Sequence, residues 1–341
     1  MSECIELVNA PVFIMGTPRS GTTLVAKILG RHSRLFMPGE THFFDDIYAR
    51  RNELGEPQDP AARHRILQRL STLYARYNEP EDQERIQKLF ADPAVVEGLK
   101  VSCRTYRDIL SAFMELQMRS AGKVRWGNNV PKDLFHVQEI QAFYPTAKFV
   151  LCMRDVRDFL LSYQNKWRVT ASDQVSRLQA LYHPVMTSLL WKASVKQMAR
   201  VHTLIPPANL LLVRYESLVE RPAETVRQLC DFVGEEFEAS MLAVDTHNSS
   251  FHVQTPGIFA SSVGRWQTQL SNEEVYIAQK LTRTELAQLG YAVDQIAVNP
   301  CKLALIVLTF PYALWRALSA NKAMSGPLMP YLLRRARTLL S

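Results

Sequence analysis

The sequence predicts an α/β fold in which a parallel sheet is covered by helices on both faces. Three short apolar runs carry that expectation, because each is followed by a helical pattern. Val12-Phe13-Ile14-Met15 leads into Thr22 to Gly30, where Leu24, Val25, Ile28 and Leu29 recur at helical spacing. Lys148-Phe149-Val150-Leu151-Cys152-Met153 leads into a helix from Val156 to Trp167, and Leu210-Leu211-Leu212-Val213 into one from about Pro222 to Val233. Uninterrupted apolar runs of this length suit strands buried on both faces. Longer helical patterns fill about 60–78, 104–121, 175–204 and 272–289. The chain is 341 residues long, 47% hydrophobic and 21% charged, which suits a folded protein with a sizeable core. There is no internal repeat. We expect one domain over 1–298 and a helical, basic and apolar tail over 299–341.

Five widely spaced cysteines, Cys4, Cys103, Cys152, Cys230 and Cys301, form no CxxC pair. They read as reduced thiols, and neither zinc nor another metal is expected. The first apolar run is too short for a secretion signal and meets a glycine loop, so the expected location is the cytoplasm. Charge is unevenly placed. Of the 40 basic residues, six follow Asp294 (Lys302, Arg316, Lys322, Arg334, Arg335 and Arg337), and all 33 acidic residues precede them. The net charge of +7 therefore belongs to the tail, and a nucleic-acid groove spread over the body is not expected.

The loop Gly16-Thr17-Pro18-Arg19-Ser20-Gly21-Thr22-Thr23 joins the first strand to the first helix. Two glycines with four residues between them let successive N–H groups wrap an anion at a helix N-terminus, which makes the fold P-loop-like. A triphosphatase carries Lys after the second glycine, whereas Thr22 stands here and the cation is Arg19, inside the loop. The loop is thus equipped for a phosphate but lacks the lysine that bridges β- and γ-phosphates.

Pro18-Arg19-Ser20-Gly21-Thr22-Thr23-Leu24 resembles the signature of sulfotransferases that use 3′-phosphoadenosine 5′-phosphosulfate (PAPS), in particular the branch containing tyrosylprotein sulfotransferases and many bacterial enzymes. The resemblance covers about residues 11 to 292. It implies that Thr17, Pro18, Arg19, Ser20, Gly21, Thr22 and Thr23 hold the donor's 5′-phosphosulfate. It further implies that Arg154 and Ser162, in Arg154-Asp155-Val156-Arg157-Asp158-Phe159-Leu160-Leu161-Ser162, hold its 3′-phosphate, for which an Arg fork and a hydroxyl are suited. Alternatively, Arg154, Asp155, Arg157 and Asp158 are surface ion pairs. The resemblance places Tyr215 of Arg214-Tyr215-Glu216-Ser217-Leu218 near the adenine, though a core tyrosine reads the same way. Ser262, Gly264 and Arg265, in Ser261-Ser262-Val263-Gly264-Arg265-Trp266, fall in a loop that covers the nucleotide in this family.

Sulfuryl transfer needs alignment, a base for the acceptor hydroxyl and cations on the leaving oxygen. Glu40 of Pro38-Gly39-Glu40-Thr41-His42 lies at the distance from Arg19 that matches the catalytic Glu of the tyrosylprotein branch. Its alternative role is to cap a helix starting near Thr41, and His42 is the competing base. Relatives carry Lys just before a Pro in a segment resembling Gly127-Asn128-Asn129-Val130-Pro131-Lys132. Here Asn129 stands at that Lys position, so either Lys132 reaches back to the leaving group or Asn129 donates a neutral hydrogen bond.

The expected activity is transfer of a sulfuryl group from PAPS to a hydroxyl on a small-molecule, lipid-like or carbohydrate acceptor, giving 3′-phosphoadenosine 5′-phosphate. A nucleoside or nucleotide kinase, and a non-catalytic adaptor, are the other readings. Acceptor recognition falls to helices between about 43 and 125 and between 165 and 205, with Trp167, Tyr182 and Trp191 as lining or core. The tail run from Leu303 to Trp315, interrupted by Pro311, reads as too short to span a bilayer. With Leu332-Leu333-Arg334-Arg335-Ala336-Arg337 it suits peripheral contact with an anionic membrane, packing on the domain, or a homodimer.

Overall fold

The computed structural model describes residues 10–77, 80–166, 175–244 and 257–321. Five parallel strands form one sheet in the order β2-β3-β1-β4-β5. Strand β1 is Val12–Gly16, and helix α1 follows it over Thr22–Gly30. Strand β2 is the two-residue edge Leu35–Phe36. Helices α2, Pro60–Tyr77, and α3, Tyr106–Ser120, precede β3, Arg125–Asn129. Strand β4, Lys148–Met153, is followed by α4, Val156–Gln164. Helix α5, Pro184–Leu204, leads to β5, Leu210–Arg214, and α6, Pro222–Val233. Helix α7 is Asn272–Leu281, and α8 is Pro300–Asn321.

The three expected strands are β1, β4 and β5. Their side chains alternate between two layers, as the pleat requires. Phe13, Met15, Phe149 and Leu151 pack with Phe43, Phe44 and Trp126 on one face. Val12, Ile14, Val150 and Cys152 pack with Val25, Ile28 and Leu229 on the other. Each fully buried side chain of this size contributes roughly 1.5–3 kcal/mol of transfer free energy. Cys103, Cys152 and Cys230 are buried free thiols, and Cys301 is exposed.

Strand β3 went unread in the sequence because Arg125-Trp126-Gly127-Asn128-Asn129 lacks an apolar run. Its polar side chains are buried all the same, and Arg125 and Asn128 find partners there. Arg125 Nε donates to the Ala10 carbonyl at 2.5 Å and Nη1 to the Val233 carbonyl at 2.6 Å. The single helix expected over 175–204 is two, Val175–Ala180 and α5, since Pro184 starts a new helix at its first turn. The pattern over 272–289 breaks at Thr282, whose hydroxyl bonds back to the Ala278 carbonyl. The described part of the tail is one helix of 22 residues that runs through Pro311, so that residue does not interrupt it as expected. Residues 322–341, with the arginine cluster, lie outside the described residues, as does Trp167.

Register sets the position of the site. Gly16 of β1 pairs with Cys152 of β4, and Met153 with Arg214 of β5. The carboxyl ends of three strands therefore stand side by side, at the point where the strand order reverses between β1 and β4, and doubly wound sheets bind ligands there.

Candidate active site

The loop after β1 is built by two backbone constraints. Gly16 has φ +150°, and a Cβ there would sit 2.1 Å from the Cys152 carbonyl oxygen. Gly21, at φ +89°, precedes α1, and its bare Cα lets the Tyr215 ring close to within 2.7 Å of where a Cβ would be. Between them, Arg19 adopts the left-handed conformation at φ 66°. The Thr17 N–H donates to the Cys152 carbonyl at 3.3 Å, and the Thr17 and Ser20 hydroxyls are in close contact. Thr22 is buried at the start of the helix, while Pro18, Gly21 and Thr23 are partly buried.

The two sequence motifs meet through one bond. Arg19 Nε donates to Ser162 Oγ at 3.2 Å across 143 positions of sequence. Ser162 lies on the buried face of α4, two turns from Arg154 at the end of β4. Burial, and then the guanidinium of Arg154, push Arg19 below the ordinary arginine range. Two cations held this close favour an anion between them.

Arg154 is 5% exposed. Its Nη2 donates to the Ser262 carbonyl at 2.6 Å, and its guanidinium lies 4.3 Å from the Tyr215 ring centroid. Its buried Nε has no hydrogen-bond partner among the described residues. Tyr215 OH and Ser262 Oγ are 2.7 Å apart. Tyr215 thus touches Gly21, Arg154 and Ser262 at once, which a tyrosine of the sheet core would not do. Gly264, at φ +76°, donates its N–H to Asp158 Oδ2 at 2.8 Å. Arg265, partly buried, follows at the base of the same turn.

The remaining motif charges are buried and structural, so the surface ion-pair alternative does not hold. Arg157 forks onto Asp155, with Nη2 to Oδ2 at 2.6 Å, reaches Asp294 at 2.7 Å and lies over the Trp266 ring. Trp191 is fully buried and donates from Nε1 to the Arg154 carbonyl at 2.8 Å, which makes it a support for the site.

A second cluster flanks the loop. Glu40 Oε2 stands 2.9 Å from His42 Nε2, an ion pair in imperfect hydrogen-bond alignment. His42 Nδ1 is 3.0 Å from Asp45 Oδ1, and Asp45 Oδ2 accepts from Lys132 Nζ at 3.0 Å. Lys132 therefore pairs with the carboxylate on the opposite side of the imidazole from Glu40. The segment is pinned to β3, because Thr41 Oγ1 donates to Asn128 Oδ1 at 3.0 Å and Asn128 Nδ2 to Asp133 Oδ2 at 2.8 Å. Asn129 is buried, with Oδ1 unpartnered among the described residues. The turn of helix after this segment begins at Phe43, behind His42 in the left-handed conformation, and has no side-chain cap, so Glu40 does not cap it.

Burial opposes charge on His42, but Asp45 and then Glu40 outweigh it and hold the imidazole well above its ordinary value. Lys132 and His42 in turn hold the Asp45 carboxyl well below the carboxylate range, against its burial. Both ring nitrogens of His42 thus face carboxylates, which favours the imidazolium, a form with no lone pair to take a proton. Because its folded pKa is raised, this ion-pair contribution is complete below the unfolded value near 6.5 and is lost as pH rises through the folded one. We expect the stability advantage over His42→Gln to shrink by up to about 1.4 kcal/mol per pH unit between about 6.5 and the folded value. Thermal melts of both proteins from pH 6 to 9 check this, and a constant difference would place a neutral imidazole there.

Sequence reasoning missed Asp45 and Lys166. Lys166 lies just past the end of α4, with Nζ 5.6 Å from the Tyr163 ring centroid. Burial, and then Arg19, lower its ammonium to about 8, while Glu40 acts in the opposite direction. The spacing of four from Ser162 was the available signal.

A profile of the sulfotransferase family matches residues 11–239. The chain belongs to the sulfotransferase family. This sulfotransferase is 24% identical over 323 residues to the nodulation protein NoeE of Sinorhizobium fredii, covering 85% of this chain and 68% of that one. It is 23% identical over 233 residues to a putative protein-tyrosine sulfotransferase of Caenorhabditis briggsae, covering 68% of each. In fold it is similar to the sulfotransferase domain from the curacin biosynthetic pathway, with a TM-score of 0.55 at 19% identity over 84% of this chain and 99% of that one. The sulfotransferase domain of the Synechococcus PCC 7002 olefin synthase gives the same TM-score at 21% identity, over 84% and 96%. Both likenesses are of fold: a parallel sheet flanked by helices, with the P-loop-like turn after β1.

Proposed function

We propose that this sulfotransferase moves a sulfuryl group from PAPS to the hydroxyl of an acceptor, releasing 3′-phosphoadenosine 5′-phosphate. The observation that carries the reading is the Arg19–Ser162 bond, which joins the strand–helix loop to the Arg154 motif in one anion site. The loop N–H groups and the hydroxyls of Thr17, Ser20, Thr22 and Thr23 take the 5′-phosphosulfate. Arg154, with its unpartnered buried Nε, and Ser162 take the 3′-phosphate. Tyr215 offers a ring beside Gly21, with Ser262, Gly264 and Arg265 as the covering turn.

In the transfer, the acceptor oxygen forms a bond to sulfur as the bond from sulfur to the 5′-phosphate oxygen breaks. Glu40 takes the acceptor proton. Arg19 and Lys166 meet the negative charge that develops on the leaving oxygen, where preorganised cations are most effective. Lys132 acts through Asp45, fixing His42 and with it the Glu40 carboxylate. This chemistry uses no metal. Thr22 at the lysine position argues against a kinase.

The test is calorimetry with 3′-phosphoadenosine 5′-phosphate in excess chelator. Binding in the micromolar range or tighter is expected, and magnesium-ATP should bind at least about tenfold more weakly, a difference of roughly 1.4 kcal/mol. A requirement for magnesium, or preference for ATP, overturns the reading.

A further inference from the structure

Helix α8 has two apolar faces, and the body covers only one of them. Ala313 and Ala317 are buried, and Phe310 lies against the His183 ring at 5.7 Å between centroids. His183 Nε2 is 3.1 Å from the Ile306 carbonyl oxygen, and Arg316 reaches the Gln179 carbonyl at 3.5 Å. These contacts run from Ile306 to Ala317 and fix the helix along Val175–Ala180 and the start of α5. The opposite face carries Leu305, Leu308, Tyr312 and Trp315, exposed by 64%, 77%, 62% and 63%. Their spacing of three, four and three puts all four on one stripe. The rings of Tyr312 and Trp315 stack at 6.0 Å. The helix is long and apolar enough to cross a membrane, and only 11% of its apolar stretch is buried.

We propose that α8 is an in-plane membrane anchor that lays the outer stripe into the headgroup boundary of an anionic bilayer. Docking from Ile306 to Ala317 holds that stretch of the helix along the body and leaves its other side to meet lipid, which favours lying in the plane over a span surrounded by hydrocarbon. The exposed residues are of the types that suit the boundary: leucines to insert, and tyrosine and tryptophan rings with one apolar and one polar end. Charge selects an anionic surface. No acidic residue follows Asp294, while Lys302 and Arg316 lie on α8 and Lys322, Arg334, Arg335 and Arg337 follow in sequence. A second copy of the chain would place these like charges against each other.

The experiment is co-sedimentation of the full chain with phosphatidylcholine vesicles, with and without about one quarter phosphatidylglycerol, at low salt. Binding to the anionic vesicles is expected, at least about tenfold stronger than to neutral ones. The double variant Leu308→Glu, Trp315→Glu should reduce binding about tenfold or more with an unchanged melting temperature, because both side chains already face outward. Arg334, Arg335 and Arg337 replaced together by Gln should weaken binding and flatten its salt dependence. Three outcomes overturn the proposal. The full chain ignores anionic vesicles, the glutamate variant binds them like the parent, or sedimentation velocity shows a dimer that the variant dissolves while vesicles are ignored.

Discussion

Glu40→Gln is expected to lower turnover by roughly 10²–10⁴ while affinity for 3′-phosphoadenosine 5′-phosphate stays within about twofold. The substitution keeps shape and hydrogen-bonding length and removes the basic lone pairs. Two features of the site make the effect this large. First, Glu40 and Asp45 face both ring nitrogens of His42 and favour its charged form, so the nearest other base is disfavoured. Second, Glu40 is held by a segment pinned through Thr41, Asn128 and Asp133, so no neighbouring carboxylate swings into its place. Asp45 shares His42 with Glu40 but is held by Lys132 at 3.0 Å, and Asp133 is tied to Asn128 at 2.8 Å. His42→Gln should cost less, because it loosens Glu40 without removing it. Single-turnover rates with saturating donor separate the two variants. Near-normal turnover in Glu40→Gln would assign the proton to solvent.

The parts of this molecule that were legible in the sequence share a physical basis. Strands β1, β4 and β5 are buried on both faces and had to be apolar, and the loop from Gly16 to Thr23 needs glycine at two left-handed or crowded positions. The motif Arg154 to Ser162 could be placed because a strand end and a helix start fix its direction. What stayed hidden is what depends on contacts between distant segments. Strand β3 buries Arg125 against the carbonyls of Ala10 and Val233 and the Glu235 carboxylate, and Asn128 against the side chains of Thr41 and Asp133. Lys132 looked free to approach a leaving group, yet Asp45, which no motif singles out, holds it. Lys166 lies two residues past the end of α4, where its ammonium feels Arg19 of the loop. The surface ion-pair alternative for Asp155 and Arg157 stayed open, since sequence does not show that Trp266 and Asp294 fold back over Arg157.

Arg154→Ala should weaken binding of 3′-phosphoadenosine 5′-phosphate by about 2–4 kcal/mol, which is roughly 30- to 1,000-fold. The structural cost is smaller. Asp158, 1% exposed, loses a cation 3.9 Å away but keeps the N–H groups of Gly264 and Trp266. The Arg154 carbonyl still accepts from Trp191, whatever the side chain. Arg154→Lys restores charge without the fork and should recover part of the affinity. The ligand itself supplies the sharper comparison. If Arg154 serves the 3′-phosphate, adenosine 5′-phosphate binds wild type and Arg154→Ala almost equally, so the coupling between side chain and phosphate accounts for most of the loss. Arg157→Ala is the control. Its partners are Asp155, Gln279 and Asp294, so it should lower the melting temperature and leave the ratio of the two ligand affinities unchanged. Equal losses for both ligands in Arg154→Ala would mean that the guanidinium serves only as a brace between Tyr215 and Ser262, and the 3′-phosphate would then need another partner.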